Sequence, residues 1–588
     1  LVEGSARGLT MMYQPQWPPA EQADVDIVLD NMRLYSVRNR STHAGNQAVD
    51  VEIEIANLRQ PVLTINGLVT GTLATLQDFV VQSPIDRFTG GNLQRLTLTG
   101  DASFGLDLRV PLKTPQETSI DGLLRSNGGT LVVEGLGAPL TDLIGEVRIT
   151  RDQVTGESLG GRFLGEPVDL SVGPGDDPQY FAVATATGAA GARAIIDELG
   201  VPLEGLVEGT APYETRIFFP RGGQASQPPF TVRIASPLRG MTLNLPEPFD
   251  KPADESLLVR GEIRFLPGGE RIESSGMADR DIAWQLAFTR PEGVWDLDRG
   301  VLQSGGGTIE PADTRGLHLR GRVETVHLEE WLNVSRSRDP TTTAAGRIRS
   351  VDLAIDHLYA LGQHLENHTV QVDRSARDWL VQVDGEDARG SIFVPYDFGA
   401  ERALTIEMER LHLPEDDEEV GEPSSIDPRT LPAITLRAQD FALGDRNLGK
   451  VDVVLVRTAD GLVSEKLEAT DSSFTIVGAG SWLADDNEEL GSRTSVSATL
   501  NSNNVETTLR RLDFARGITG DAMAVVVDLG WGGGPRADFL EMLDGNVRLR
   551  LDNGQLEEVE PGAGRMLGLG SFVALPRRVA VEFRDVFS

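Results

Sequence analysis

The chain has 588 residues, a formal net charge of −35 and no cysteine. Its length corresponds to about three to five domains of ordinary size. The acidic excess excludes a general nucleic-acid binder and broad adsorption to anionic lipid surfaces, both of which need clustered Lys and Arg, and the lack of cysteine excludes disulfides, Cys-type zinc sites and thiol catalysis without fixing the compartment.

From the N-terminus onward the dominant signal is period-two alternation, the mark of half-buried strands. Val49, Val51, Ile53 and Ile55 share one face, with Asp50, Glu52 and Glu54 opposite. Asn66-Gly67 then predicts a hairpin turn. Phe104, Leu106, Leu108, Val110 and Leu112 fall together against Gly105, Asp107 and Arg109. Asp121-Gly122 and Asn127-Gly128 predict two more turns, and residues 192–200 (ARAIIDELG) a short helix stopped by glycine. Val259, Ile263 and Phe265 alternate with Arg260, Glu262 and Arg264. Residues 328–334 predict a further turn of helix, and 335–346 an exposed loop.

Leu404, Ile406 and Met408 oppose Thr405, Glu407 and Glu409. An acidic loop is expected at 414–428, a turn at Asp460-Gly461 and a helix within 503–517. Val525 and Val527 are assigned to an apolar face, as are Val547, Leu549 and Leu551, which alternate with Arg548 and Arg550 between turns at Asp544-Gly545 and Asn553-Gly554. Val579, Val581 and Phe583 form the last such set, against Ala580, Glu582 and Arg584. The whole predicts an all-β chain of antiparallel strands with one wet and one apolar face. No βαβ unit is present, so a doubly wound sheet is excluded. An apolar face must be covered, either by a second sheet in a sandwich or by curling into a trough that takes acyl chains.

Motifs that imitate chemistry are weak. His364 and His368 have the spacing of two zinc ligands on one helix face, but their flanks read as a turn entering a strand, and no metal site is assigned; both are expected at the surface. The glycine-rich stretch 562–568 lacks the context of a nucleotide loop and is read as a packing turn. The acidic runs within 414–428 and 485–489 lack the ligand spacing of a calcium loop. No nucleophile elbow is found, and no cofactor or enzyme activity is expected. There is no initiator Met, no signal peptide and no apolar run of about 18 residues, so a segment of a longer protein, without its membrane span, is expected.

The C-terminal block carries a family resemblance. Trp531 with the following glycines and proline, the strand at 545–549, the Gly-x-Gly-Arg and Leu-Gly-Leu run at 562–568, and the Leu-Pro-Arg-Arg strand at 575–588 resemble the YhdP family of AsmA-like proteins. Stretches at 13–18, 243–255, 388–397, 427–453 and 478–483 are similar to the family as well, while Val-Ala-Val-Glu-Phe at 579–583 departs from its more usual Leu and Asp. The resemblance implies an elongated, curved antiparallel sheet forming a repeating β-groove with a few short helices. It implies a groove segment at 1–345 continuous with an AsmA-like C-terminal segment at 346–588. It further implies a periplasmic conduit, anchored in the inner membrane by a helix missing here, that carries phospholipid toward the outer membrane. The partners implied are phospholipid acyl chains, the two membranes and other envelope proteins, with no nucleic acid. The groove residues would be Val51, Ile53, Phe104, Leu106, Leu108, Ile406, Met408, Val525, Val527, Val547, Leu549, Leu551, Val579, Val581 and Phe583. The alternative is a non-enzymatic envelope assembly factor built of tandem β-sandwiches.

Overall fold

Alternating branched and charged residues have one extended arrangement that covers the first and wets the second, and the chain adopts it almost throughout. The computed structural model describes residues 1–12, 17–83, 92–114, 117–133, 138–150, 153–199, 204–221, 229–266, 270–279, 281–291, 295–328, 330–331, 348–360, 363–375, 377–396, 402–413, 427–485, 491–514, 518–534 and 544–556. The described residues contain 34 strands, 32 of them in one mixed sheet, and three α-helices. Two compact units are distinguished, Leu1–Asn244 with Asp250–Gly300, and Leu245–Phe249 with Val301–Ser588.

In the first unit, strands adjacent in sequence pair with one another in antiparallel fashion, from Val2–Met11 against Ala20–Asp30 onward. Helix α1 (Leu73–Val81) leaves the end of strand Val62–Thr72, which pairs next with Asp101–Pro111. Thr72 caps α1: its hydroxyl accepts the Thr75 N–H at 3.1 Å, and the Thr75 hydroxyl accepts the Thr72 N–H at 2.9 Å. Helix α2 (Ala192–Leu199) separates the paired strands Tyr180–Gly191 and Val207–Pro220 and buries Ala192 and Ile196. A small core gathers Val133, Phe230, Val232 and Phe265, with the Phe219, Phe230 and Phe265 rings edge-on in series.

Among the described strands of the second unit, two pairings are parallel seams. Gly316–His327 runs parallel to Ile348–Ala360, and Ala403–Leu413 parallel to Ala433–Leu443. The five strands from one seam to the next pair antiparallel with one another. The all-β sheet is thus antiparallel, as expected, in most of its described pairings, and these seams make it mixed. A parallel pair requires the chain to return to its starting end between the two strands, so neither seam is a hairpin. Helix α3 (Val505–Arg511) follows strand Ser492–Ser502 but lies against Arg446–Arg457, three positions away in the ladder, so it crosses the apolar face. It is held there by Val505 and Leu509 in the core and by Thr508, whose hydroxyl donates to the Ser473 carbonyl at 3.0 Å and lies 2.8 Å from the Ser502 hydroxyl.

Three predicted turns are strand interior instead. Asn66-Gly67 lies inside Val62–Thr72, and Asp121-Gly122 and Asn127-Gly128 lie inside Ser119–Val133. Gly122 serves packing: a Cβ there would lie 2.2 Å from Cζ of Phe104. Gly128, with φ of +123°, marks a bulge where the pairing register shifts. Helices α2 and α3 match expectation, whereas α1 was not anticipated. The helix at 328–334 falls largely outside the described residues, as do most of the loops at 335–346 and 414–428 and the whole of 562–568.

Replacing Thr508 by Val would leave the Ser473 carbonyl and the Ser502 hydroxyl facing an apolar group. The expected cost is about 1–3 kcal/mol, read as loss of hydrogen-exchange protection in α3 and Arg446–Arg457. Asn504→Ala, which removes only the cap on the Thr507 N–H, should cost about 1 kcal/mol.

Candidate functional site

Because adjacent strands pair residue to residue, the face chosen by one strand is passed to the next. In the second unit this produces two unbroken apolar rows. One runs Leu319, Val351, Val372, Val381, Ile392, Ile406, Leu436, Val453, Leu467, Gly478, Ala498, Val527, Val547, each the register partner of the next. The other runs Gly321, Leu353, Val370, Val383, Gly390, Met408, Ala438, Val451, Ala469, Ile476, Leu500, Val525, Leu549. Neither contains a polar side chain across all its strands. At a strand spacing of about 4.8 Å, such a row follows a path of roughly 57 Å, and the two rows lie roughly 7 Å apart.

Neighbouring positions on the other face carry the charge. Glu407, Arg437, Asp452 and Glu468 are register partners in sequence, and Lys466 sits 2.7 Å from Asp452 and 3.1 Å from Glu468. Hydrogen bonds to Asp452, then to Glu468, raise the Lys466 pKa above its ordinary value. In the first unit Arg148 is bonded to Asp121 on the same kind of wet face, which lowers the Asp121 pKa and raises that of Arg148. Such exposed pairs contribute little stability each and keep the face in water.

The apolar face is covered to different degrees. In the second unit Leu404, Ile406, Met408, Val525 and Val527 are buried in one continuous core. Within it a cavity opens, lined by Leu455, Leu467, Ile476, Trp482, Leu500 and Val525, with Ser464, Thr494 and Ser495 but no charged side chain. Its lining comes from five consecutive strands, so the sheet is concave there. At the last described strand of the large sheet the cover ends: Val547 is 53% and Leu549 49% exposed, and Leu551 is half-buried. In the first unit Ile53, Ile65, Leu108 and Ile120 are successive register partners, as are Val69, Phe104, Leu124 and Val147. All eight are half-buried rather than enclosed, as are Val51 and Leu106.

The nominated residues that fall among the described ones thus lie on apolar faces, with Arg548 on the charged one. Val579, Val581 and Phe583 lie outside the described residues. The sequence reading missed the cavity's Trp482 and Leu500, although Ile476, Gly478, Gly480 and Trp482 alternate visibly. The histidines differ from expectation. His364 and His368 share a strand, Gln363–Arg374, yet His368 is only 1% exposed and packs over Gly385 on the apolar face, its Nε2 accepting the Ala388 N–H at 3.2 Å. It is a core residue, so the pair forms no joint site.

These features define a class: an all-β protein whose sheet keeps one face apolar and the other charged over many strands. The chain belongs to the YhdP family, whose model, described as "YhdP protein", matches residues 1–588. It is 21% identical over 595 residues to the Escherichia coli (strain K12) protein named "Intermembrane phospholipid transporter YhdP", a match that covers 99% of this chain and 46% of that protein. The chain thus spans about half the length of that relative. Among solved structures, a mutant ferric enterobactin receptor of Pseudomonas aeruginosa in complex with enterobactin aligns over 91% of this chain and 68% of its own at 8% identity, but its TM-score of 0.09 is far below that of a shared fold.

The difference in cover predicts a difference in energetics. Leu404→Ala empties a fully buried site and should cost about 2–5 kcal/mol. Leu106→Ala, on the half-open face, should cost less than about 1.5 kcal/mol. Equal losses, measured by hydrogen exchange at the strands concerned, would mean that the first unit's face is closed.

Proposed function

We propose that this chain is part of a lipid-transfer conduit in which phospholipid acyl chains lie along the apolar face while headgroups remain at its margin. One observation carries the reading: the two apolar rows pass through thirteen strands without a polar interruption. Water charges about 0.8 kcal/mol for each exposed CH₂, so a free two-chain lipid crosses an aqueous gap slowly. A continuous apolar track lowers that barrier along its whole length and needs no catalytic step. The name of the E. coli relative, an intermembrane phospholipid transporter, agrees in kind. No helix among the described residues is long and apolar enough to cross a membrane. The setting that follows from this reading is the space between two membranes, the periplasm of a double-membrane cell, with a membrane at each end of the longer protein and envelope proteins as further partners.

The closed-sandwich alternative makes opposite predictions at one strand. Leu549 lies on an apolar row and is 49% exposed, while Arg548 lies on the charged one. A photo-crosslinking residue at 549 should capture phospholipid from bacterial lipid vesicles, and one at 548 should not. Leu549→Arg should still fold, because the side chain is half exposed and little packing is lost, and yet reduce both capture and vesicle-to-vesicle transfer: a guanidinium on an apolar track costs several kcal/mol unless it snorkels out. Arg548→Leu should transfer as before. Equal capture at 548 and 549, or native mass spectrometry showing no phospholipid bound to the purified chain, would refute the conduit.

A further inference from the structure

The sheet's alternation slips by one residue near the first parallel seam, and the slip assembles a cluster of ligating side chains. Val323, Ile355 and His368 face the core, and so do Val326, Leu358 and Leu365. Each pair is three residues apart, an odd step, so the faces exchange between them, next to Asn367 with its φ of +54°. As a result His327, Tyr359 and His364, register partners on three strands, all turn to the wet face. Their rings form a pile, with centroids 4.5 Å apart at both steps and planes within 4° and 8°. His357 and Glu366, directly opposite each other, take the same face.

Here His357 Nδ1 stands 3.1 Å from His364 Nε2. One ligating atom from each of His357, His364 and Glu366 falls within 4.8 Å of the others. Zinc–imidazole bonds of about 2.0–2.1 Å place two nitrogens roughly 3.3 Å apart at a tetrahedral ion, so the observed separation is nearly that of a coordinated pair. Two imidazoles and one carboxylate are a complete protein ligand set for zinc with one position left to water. The stack of Tyr359 on His364 fixes the orientation of that ring.

We propose that His357, His364 and Glu366 form a binding site for a first-row divalent cation of the zinc class, on the charged face and away from the apolar rows. Imidazole suits zinc, copper and nickel, and the added carboxylate favours zinc over softer ions. The cation would take the place of the contact between the two imidazoles, and the site bridges the hairpin strands Ile348–Ala360 and Gln363–Arg374. It involves no residue of the lipid track, so the two proposals stand or fall separately.

The test is zinc titration of the purified chain, free of any histidine tag, in competition with a chromogenic indicator. One zinc per chain is expected. Loss of an outer-shell partner commonly weakens a metal site by about 10–100-fold, so His357→Ala and Glu366→Gln should each weaken binding more than about tenfold. His412→Ala, a wet-face histidine paired with Asp440 elsewhere, should bind as the unmodified chain does. X-ray absorption of the zinc-loaded unmodified chain should show two imidazoles and oxygen ligands, and this reading holds even if a variant fails to fold. Absence of saturable binding, unchanged affinity in His357→Ala, or an all-oxygen zinc shell would overturn the assignment.

Discussion

Strand register is the constraint on which the rest depends. A hydrogen-bonded pair allows no gradual adjustment: a slip of one residue sends every side chain to the opposite face. Once Ile406 pairs with Leu436, and Leu436 with Val453, the apolar choice of one strand commits its neighbours. The backbone ladder thereby converts thirteen local two-residue patterns into two continuous tracks. Hydrophobic burial then acts on the tracks as wholes, strongly where the sheet is concave around Trp482 and more weakly where Phe104 and Leu108 remain half-covered.

Much of this was legible in the sequence because period two needs no long-range information. Ile53, Leu106, Met408 and Leu549 could each be given a face from their immediate neighbours. The parallel seams could not, since nothing local tells Ala433–Leu443 to run beside Ala403–Leu413 in the same direction. Glycines misled for a related reason. Gly122 imitates a turn residue, but its small size serves the Phe104 ring from the adjacent strand. Helix α1 was hidden by its β-branched content, and its cap is a Thr–Thr pair rather than the more recognisable Thr–Glu pair. The face exchange near Asn367 was equally invisible, and it separates His368 from His364 while giving His364 a new neighbour in His357.

The two faces are under different physical demands. The charged face can tolerate local variety, because exposed ion pairs such as Lys466–Asp452 are individually weak and replaceable. The apolar face cannot, since a single unpaired polar group on it bears its full desolvation cost. At His368 that cost is met only in part: its Nε2 is satisfied by a backbone amide and Gly385 makes space for the ring, while its Nδ1 is buried without a hydrogen-bond partner among the described residues. The proposed cation site sits where such demands are lightest, on the wet side of the same hairpin.

The parallel seams also bear on how the chain reaches its fold. Hairpin neighbours meet early, because closing a few residues costs little entropy and each new strand has a finished edge on which to add. At Gly316–His327 and at Ala403–Leu413 that sequence is interrupted: a parallel partner cannot be reached by a tight hairpin, so more chain must be made before it is in place. During synthesis each seam leaves a completed edge strand temporarily bare, with unpaired amides and carbonyls beside an apolar surface. Among the described strands the kinetic vulnerability is thus concentrated at these seams, and a partner that shields nascent strand edges would have most to do there.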